Sequence, residues 1–279
     1  MAKYESKSLR NVAFIGHGGT GKTSLCESLL FVTGKTDRQG RVDDGSSSMD
    51  YEPEEQKRHI SISSAVNYFD WEKHKVNIID TPGDSNFAYD TQNCLRIVDA
   101  AVVLIDAVSG VEFQTEKVWE YADDFKLPRI VFINRMDRER ADFFTAVDTI
   151  KSRMGKKVTP LYLPIGKEDA FQGIVDLISM KALIFGDAKG TYKTEDIPAD
   201  MKDDAVTYRE TMVEDIAESD ETLMDKYLEA GELSPDELKE GLKKGVSSGG
   251  LIPVICGSSA KNIGILPLVD MITGYLPSP

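Results

Sequence analysis

Gly16-His17-Gly18-Gly19-Thr20-Gly21-Lys22-Thr23 fits the phosphate-loop pattern G-x-x-x-x-G-K-[ST], and Ser24 carries it on into a helix. The flanks are those the pattern requires. An apolar stretch of strand length, Val12-Ala13-Phe14-Ile15, runs into it, and Leu25, Leu29 and Leu30 follow at the spacing of a buried helical stripe. A loop of this kind turns successive backbone N–H groups into a concavity at a helix N-terminus, where an anion is favoured. Gly16, His17, Gly18, Gly19, Thr20, Gly21, Lys22, Thr23 and Ser24 are therefore expected to surround a nucleotide's phosphates. Lys22 is expected to reach the β- and γ-phosphates as a catalytic charge, and the Thr23 hydroxyl to bind Mg²⁺.

Working outward, strand and helix signals alternate. Strands are expected at Asn11–Ile15, Ile60–Phe69, Val76–Asp80, Ala100–Asp106, Arg129–Ile133, Leu161–Ile165 and Leu251–Cys256. Helices are expected at Thr23–Phe31, Ser85–Ile97, Glu112–Phe125, Ala141–Met154 and Gly264–Tyr275. Strands apolar on both faces and separated by helices predict an α/β fold, a mostly parallel sheet with helices on both faces. Right-handed crossovers then gather the loops after the strands along one edge, where ligands bind.

Two stretches break the alternation. Thr33 to Arg58 is polar, rich in Asp, Ser and Gly, and has no apolar period; a loop so long is usually functional or mobile. The second runs from 169 to 248. It opens with strand-like Gly173–Ile178 and Ala182–Phe185 and then turns helical and acidic. Ser234-Pro235-Asp236-Glu237 reads as a helix start with a Ser cap, Pro at the first position and Glu closing the box. The expected organisation is a nucleotide-binding domain at 1–168 and 249–279 with an inserted acidic α+β subdomain at 169–248.

Charge supports that division. The net charge is −14, and residues 191–240 alone hold 17 Asp and Glu against 5 Lys and Arg, so the rest is near neutral. Such a balance argues against a chain that coats nucleic acid. It suits either a solvated helical surface or a docking face for a basic partner. The start at Met1 lacks the apolar core of a signal peptide, and the run Ala100 to Ile105 is too short for a bilayer. Cys26, Cys94 and Cys256 lie far apart, without metal-type spacing, and are expected to be reduced and buried in the cytosol. His17, His59 and His74 are equally scattered.

Three further loops name the nucleotide. Asp80-Thr81-Pro82-Gly83 follows a strand; Asp80 is expected to support Mg²⁺ and the Gly83 N–H to face the γ-phosphate. Asn134-Arg135-Met136-Asp137 follows another. Guanine presents N1–H and the 2-amino group side by side, a donor pair matched to the Asp137 carboxylate, whereas adenine offers an acceptor there. Asn134 is expected to bridge loops and Arg135 to cover the base. After the last strand, Ser258 and Ser259 supply a turn whose N–H meets the guanine carbonyl, and Lys261 flanks the base. Four such loops in order predict a P-loop GTPase that binds GTP and GDP with Mg²⁺.

These residues resemble the N-terminal G domain of elongation factor G, a translation-factor GTPase, over nearly the whole chain to Tyr275-Leu276-Pro277-Ser278-Pro279. The insertion before the last base-binding loop is similar to that family's extra subdomain. The resemblance implies a cytoplasmic, monomeric factor that works at the large-subunit factor site of the ribosome, touching rRNA. It implies that the acidic insert faces the stalk protein, with no membrane or DNA partner. Metal ligands implied are Thr23, Asp80 and Ser61, the last in Arg58-His59-Ile60-Ser61 where the family usually has Arg-Gly-Ile-Thr.

The departures resemble the divergent second form of elongation factor G. Gly19 stands where Asp is usual, Gly18 where a bulky apolar residue is usual, and Asp84 where the water-positioning His follows Pro-Gly. An anion at 84 beside the γ-phosphate predicts slow hydrolysis; a thousandfold loss would equal about 4 kcal/mol. A solvent-facing Asp84, with another group orienting water, is the alternative. The expected function is a translocase-like GTP switch on the ribosome. Three alternatives stand beside it: a GTP-dependent ribosome-binding module without productive hydrolysis, a protection or release factor of the same family, and, furthest off, a P-loop kinase or ATPase.

Overall fold

The first strand, β1 (Leu9–Ile15), is buried from Val12 onward and delivers the phosphate loop to α1 (Lys22–Val32). The computed structural model describes residues 4–155 and 157–279, so the first three residues of the polar start lie outside it. The chain continues through α2 (Pro53–Arg58), β2 (Ala65–Trp71), β3 (His74–Asp80), α3 (Ala88–Leu95) and β4 (Ala100–Asp106). Then come α4 (Phe113–Asp124), β5 (Arg129–Asn134), α5 (Phe143–Met154), β6 (Val158–Pro160) and β7 (Tyr162–Ile165). The remainder is β8 (Gly173–Asp176), β9 (Lys181–Phe185), β10 (Tyr192–Glu195), α6 (Lys202–Ala217), α7 (Glu221–Ala230), α8 (Pro235–Ser248), β11 (Ile252–Cys256) and α9 (Ile265–Tyr275).

Among the described residues, seven strands form one sheet in the order β2-β3-β1-β4-β5-β11-β6. Every neighbour pair is parallel except β2 with β3. The central strands β4 and β5 are buried along their whole length, which is why they read as unbroken apolar runs rather than alternating ones. α1 packs on α9 and α9 on α8, while α3 packs on α4 and α4 on α5, giving two helical layers. The strand tips carrying Gly16, Asp80, Asn134 and Gly257 end along one edge. The α/β expectation, with its mostly parallel sheet and added antiparallel part, holds.

The second sheet, β10-β9-β8-β7, is antiparallel throughout. α6 packs on α7, α8 and β6, and α8 on α9 and β11. α8 starts where the sequence said it should. Ser234 Oγ accepts from the Glu237 N–H while a Glu237 carboxylate oxygen accepts from the Ser234 N–H at 3.0 Å. All three cysteines are free and buried. No helix among the described residues is long and apolar enough to cross a membrane.

Several elements differ from the sequence reading. The strand expected from Ile60 begins at Ala65, because carboxylates take the N–H groups a ladder would use. Ile62 and Ser63 donate to Glu55 Oε1 at 2.8 and 3.0 Å, and Ser64 donates to Asp90 Oδ2 at 2.7 Å. The strand expected at Leu161–Ile165 forms as β7 in the small sheet, and a short strand the sequence reading missed, β6, precedes it in the large one. Leu161 pivots between them, donating to Val254 O at 2.9 Å and accepting from Leu177 N–H at 3.1 Å. The helix expected from Ser85 opens as a 3₁₀ turn, Ser85–Phe87, before α3. Within the polar loop the sequence showed no period, yet α2 forms on a capping box of Glu52 and Glu55 with Pro53 at its first turn. β10 is exposed along its length and so carried no apolar signal.

Candidate nucleotide and metal site

The phosphate loop wraps one end of a cavity of about 400 Å³. His17, Gly18, Gly19, Gly21, Lys22, Thr23 and Ser24 line it from one side, and Asp50, His59, Ile60, Ser61, Gly83 and Asp84 from the other. Thr20 is buried just behind, its hydroxyl donating to His17 O at 3.0 Å. Lys22 Nζ curls back over its own loop, donating to Gly16 O at 3.0 Å and His17 O at 2.9 Å. Two glycines are required by space. Gly21 has φ +92°, and a Cβ there would sit 2.5 Å from Asn134 Nδ2. A Cβ on Gly83 would collide with Lys22 Nζ and lie 2.7 Å from Gly18 N.

A chain of oxygens crosses the cavity floor. Thr23 Oγ1 donates to Asp80 Oδ2 at 2.7 Å and lies 3.0 Å from Ser61 Oγ, which donates to Asp50 Oδ1 at 2.8 Å. The second oxygen of each carboxylate, Asp80 Oδ1 and Asp50 Oδ2, is buried without a hydrogen-bond partner. Burial pushes Asp80 up to about 7, with Asp50 and Glu27 adding to it, against the Thr23 hydrogen bond and Lys22. Burial likewise lowers Lys22 to about 8, opposed by Asp80. Burial also raises Asp50. Unpaired, buried hard oxygens of this kind are what a small divalent cation satisfies. Among the described residues no three His, Cys, Asp or Glu converge to hold a metal alone.

At the other end, Asn134 ties two loops together. Its Nδ2 donates to Thr20 O at 2.9 Å and Ser259 Oγ at 3.2 Å, and its Oδ1 accepts from Ser259 N–H at 3.0 Å. Asp137 is half-buried, and its Oδ1 is enclosed without a partner. Arg135, at φ +66°, is anchored to Asp106 Oδ2 at 2.8 Å. Lys261 N–H donates to Ser258 Oγ at 3.1 Å, and its Nζ reaches Asp169 O at 3.3 Å. Ser258 is buried and bridges to Ile263 in the same turn.

Residues 7–278 match the family model described as the elongation factor Tu GTP binding domain. The chain belongs to that family. It is a GTPase domain of the translation-factor type, a family that binds GTP and GDP, generally with Mg²⁺. A crystal structure of a protein from Thermus thermophilus is similar at a TM-score of 0.92 and 33% identity, over 98% of this chain. This chain spans 41% of that one's length.

Four cavity or loop residues escaped the sequence reading of this GTP-binding domain. Asp50 sits in a polar run with no pattern to mark it. Gln114 lines the cavity from the start of α4, buried, with its Nε2 unpartnered. Glu27 holds the polar loop from below, accepting from Ser47 Oγ at 2.9 Å and Met49 N–H at 3.1 Å. A lone carboxylate on the apolar face Leu25–Leu30 was its available signal. His59 was noted only as a departure. Asp84 proves to be a cap: one carboxylate oxygen accepts from Asn86 N–H at 2.8 Å and Asn86 Nδ2 at 2.9 Å.

Proposed function

We propose that the chain is the guanine-nucleotide switch of a ribosome-associated, translocase-like elongation factor, with slow GTP hydrolysis. The observation that carries the guanine assignment is the enclosed, unpartnered Asp137 Oδ1 beside the bridge that Asn134 makes. A buried acceptor without a donor is costly, and a purine edge donating twice relieves it; adenine does not. In this reading Lys22 leaves its two loop carbonyls for the β- and γ-phosphates. Thr23 and Ser61 hold Mg²⁺, with Asp80 in support, and Asp50 joins that set. When bound, the cation neutralises charge on the phosphates.

Residues 1–168 and 249–279 form the nucleotide-binding part of this proposal and 169–248 its insert. The acidic α6–α8 surface is proposed as the face for a basic stalk protein, and the cytoplasm as the compartment, with the factor acting as a monomer. The γ-phosphate would order the segments around Ser61 and Gly83, and its loss would release them. Slow turnover follows from Asp84, whose carboxylate is committed to Asn86 and whose charge opposes a nearby phosphate. Co-sedimentation with ribosomes in GDP and in a GTP analogue tests the ribosomal part: retention only with the analogue is expected, and no retention in either state contradicts it. Unchanged γ-phosphate over many minutes on ribosomes would favour the second reading, a binding module that does not use hydrolysis.

A further inference from the structure

With Asp84 turned onto Asn86, two histidines line the cavity, His17 in the phosphate loop and His59 across from it. His59 lines the same cavity as Lys22, Ser61, Gly83 and Asp84. It closes α2 in the left-handed region, φ 55° and ψ 38°, its N–H donating to Glu55 O. A residue other than glycine is uncommon there, and residues held in that region cluster at functional sites. Among the described residues the ring is held at one end only. Nδ1 lies 2.9 Å from Val42 O, and a carbonyl accepts but does not donate, so Nδ1 carries the proton. In the neutral ring Nε2 is then an acceptor, the second nitrogen fixed by what the first one bonds.

We propose that His59 positions the attacking water for GTP hydrolysis, its Nε2 accepting a hydrogen bond from that water. This rests on the GTPase reading above. The water oxygen bonds to the γ-phosphorus, and the bond from that phosphorus to the β–γ bridging oxygen breaks. The bridging oxygen keeps the electron pair as part of GDP. One water proton stays on the inorganic phosphate and the other passes to solvent. His59 orients and is not consumed. Three features combine in this arrangement: an acceptor nitrogen, a ring anchored through its opposite nitrogen to the loop at Val42, and a backbone held two residues before the Ser61 hydroxyl.

Three substitutions separate the side chain from the backbone. H59G suits the left-handed conformation better than histidine does, so it removes the ring without straining the turn. H59N tolerates that conformation and places an amide N–H where Nδ1 donates to Val42, but has nothing at Nε2. H59Q extends an amide toward the Nε2 position. Single-turnover release of γ-phosphate, with and without ribosomes, is measured beside the affinity for a fluorescent GDP and a non-hydrolysable GTP analogue. In H59G and H59N hydrolysis is expected to fall roughly 10²-fold, with affinities for both nucleotides within about threefold of the parent. H59Q is expected to recover part of the rate. Any other pattern overturns the proposal, including rates near the parent's or a rate loss matched by lost affinity for the analogue. A parent protein that binds guanine nucleotides yet hydrolyses none overturns it while the nucleotide assignment stands; a parent that binds none removes both.

Discussion

Glu27, in the first helix, accepts a hydrogen bond at 2.9 Å from Ser47 Oγ, twenty residues on and within the polar loop. Ser48 and Met49 N–H and the Ser48 hydroxyl donate to the same oxygen, and Gly40 N–H to the other. A loop with no apolar period is thus fastened by one buried carboxylate. Removing it strands donors that lie in the interior, so Glu27→Ala is expected to cost about 2–4 kcal/mol. Urea unfolding checks the loss, and hydrogen exchange at residues 40–49 checks its place. Unchanged exchange there would show that something else holds the loop.

Asp137→Asn replaces an acceptor-only carboxylate by an amide that also donates. Guanine-nucleotide affinity is expected to fall by about 10²-fold, roughly 3 kcal/mol, and xanthine nucleotides to gain. Competition against a fluorescent GDP reads both changes. If XDP gains nothing, Asp137 does not read the base edge.

The parts of this molecule that repeat a physical pattern were legible in advance. The apolar runs Ala100–Asp106 and Arg129–Ile133 announced buried parallel strands, and the loops after Ile15 and Ile133 carry the residues read for the phosphates and the base. Ser234 to Glu237 marked the start of α8 because a cap is local chemistry. What escaped was set by contacts distant in sequence. Ile60 to Ser64 has strand-like residues, but Glu55 and Asp90 capture its N–H groups, and neither capture is visible in a window. Asp50 acts through a partner 11 residues away, and Glu27 through partners 13 to 22 residues away. Leu161 reads as the first residue of a strand yet is the point where the chain changes sheets.

Asp84 makes two separable contributions. Asp84→Ala removes the cap from the turn at Ser85–Phe87 and is expected to cost about 1 kcal/mol of stability. Asp84→His places an acceptor next to Gly83 and removes the negative charge. Ribosome-stimulated single-turnover hydrolysis is expected to rise roughly 10²-fold. Rapid stimulated turnover in the parent, left untouched by Asp84→Ala, would contradict the slow-hydrolysis reading.

Asp80 gives the nucleotide-free protein a distinctive pH dependence. Its folded-state value, about 7, lies above the ordinary 3.8, so the folded form binds the proton more tightly than the unfolded one. Its contribution to stability is full at low pH and is lost as pH rises through the window from 3.8 to about 7. In magnesium-free buffer the melting temperature is expected to fall over that window less steeply in Asp80→Asn than in the parent. Equal slopes would mean that Asp80 is ionised throughout.

Calorimetric titration with GDP, a non-hydrolysable GTP analogue and ATP, each with Mg²⁺, bears most directly on the guanine switch. Both guanine nucleotides are expected to bind, with ATP weaker by a factor on the order of 10⁴. ATP binding as tightly as GDP would contradict it.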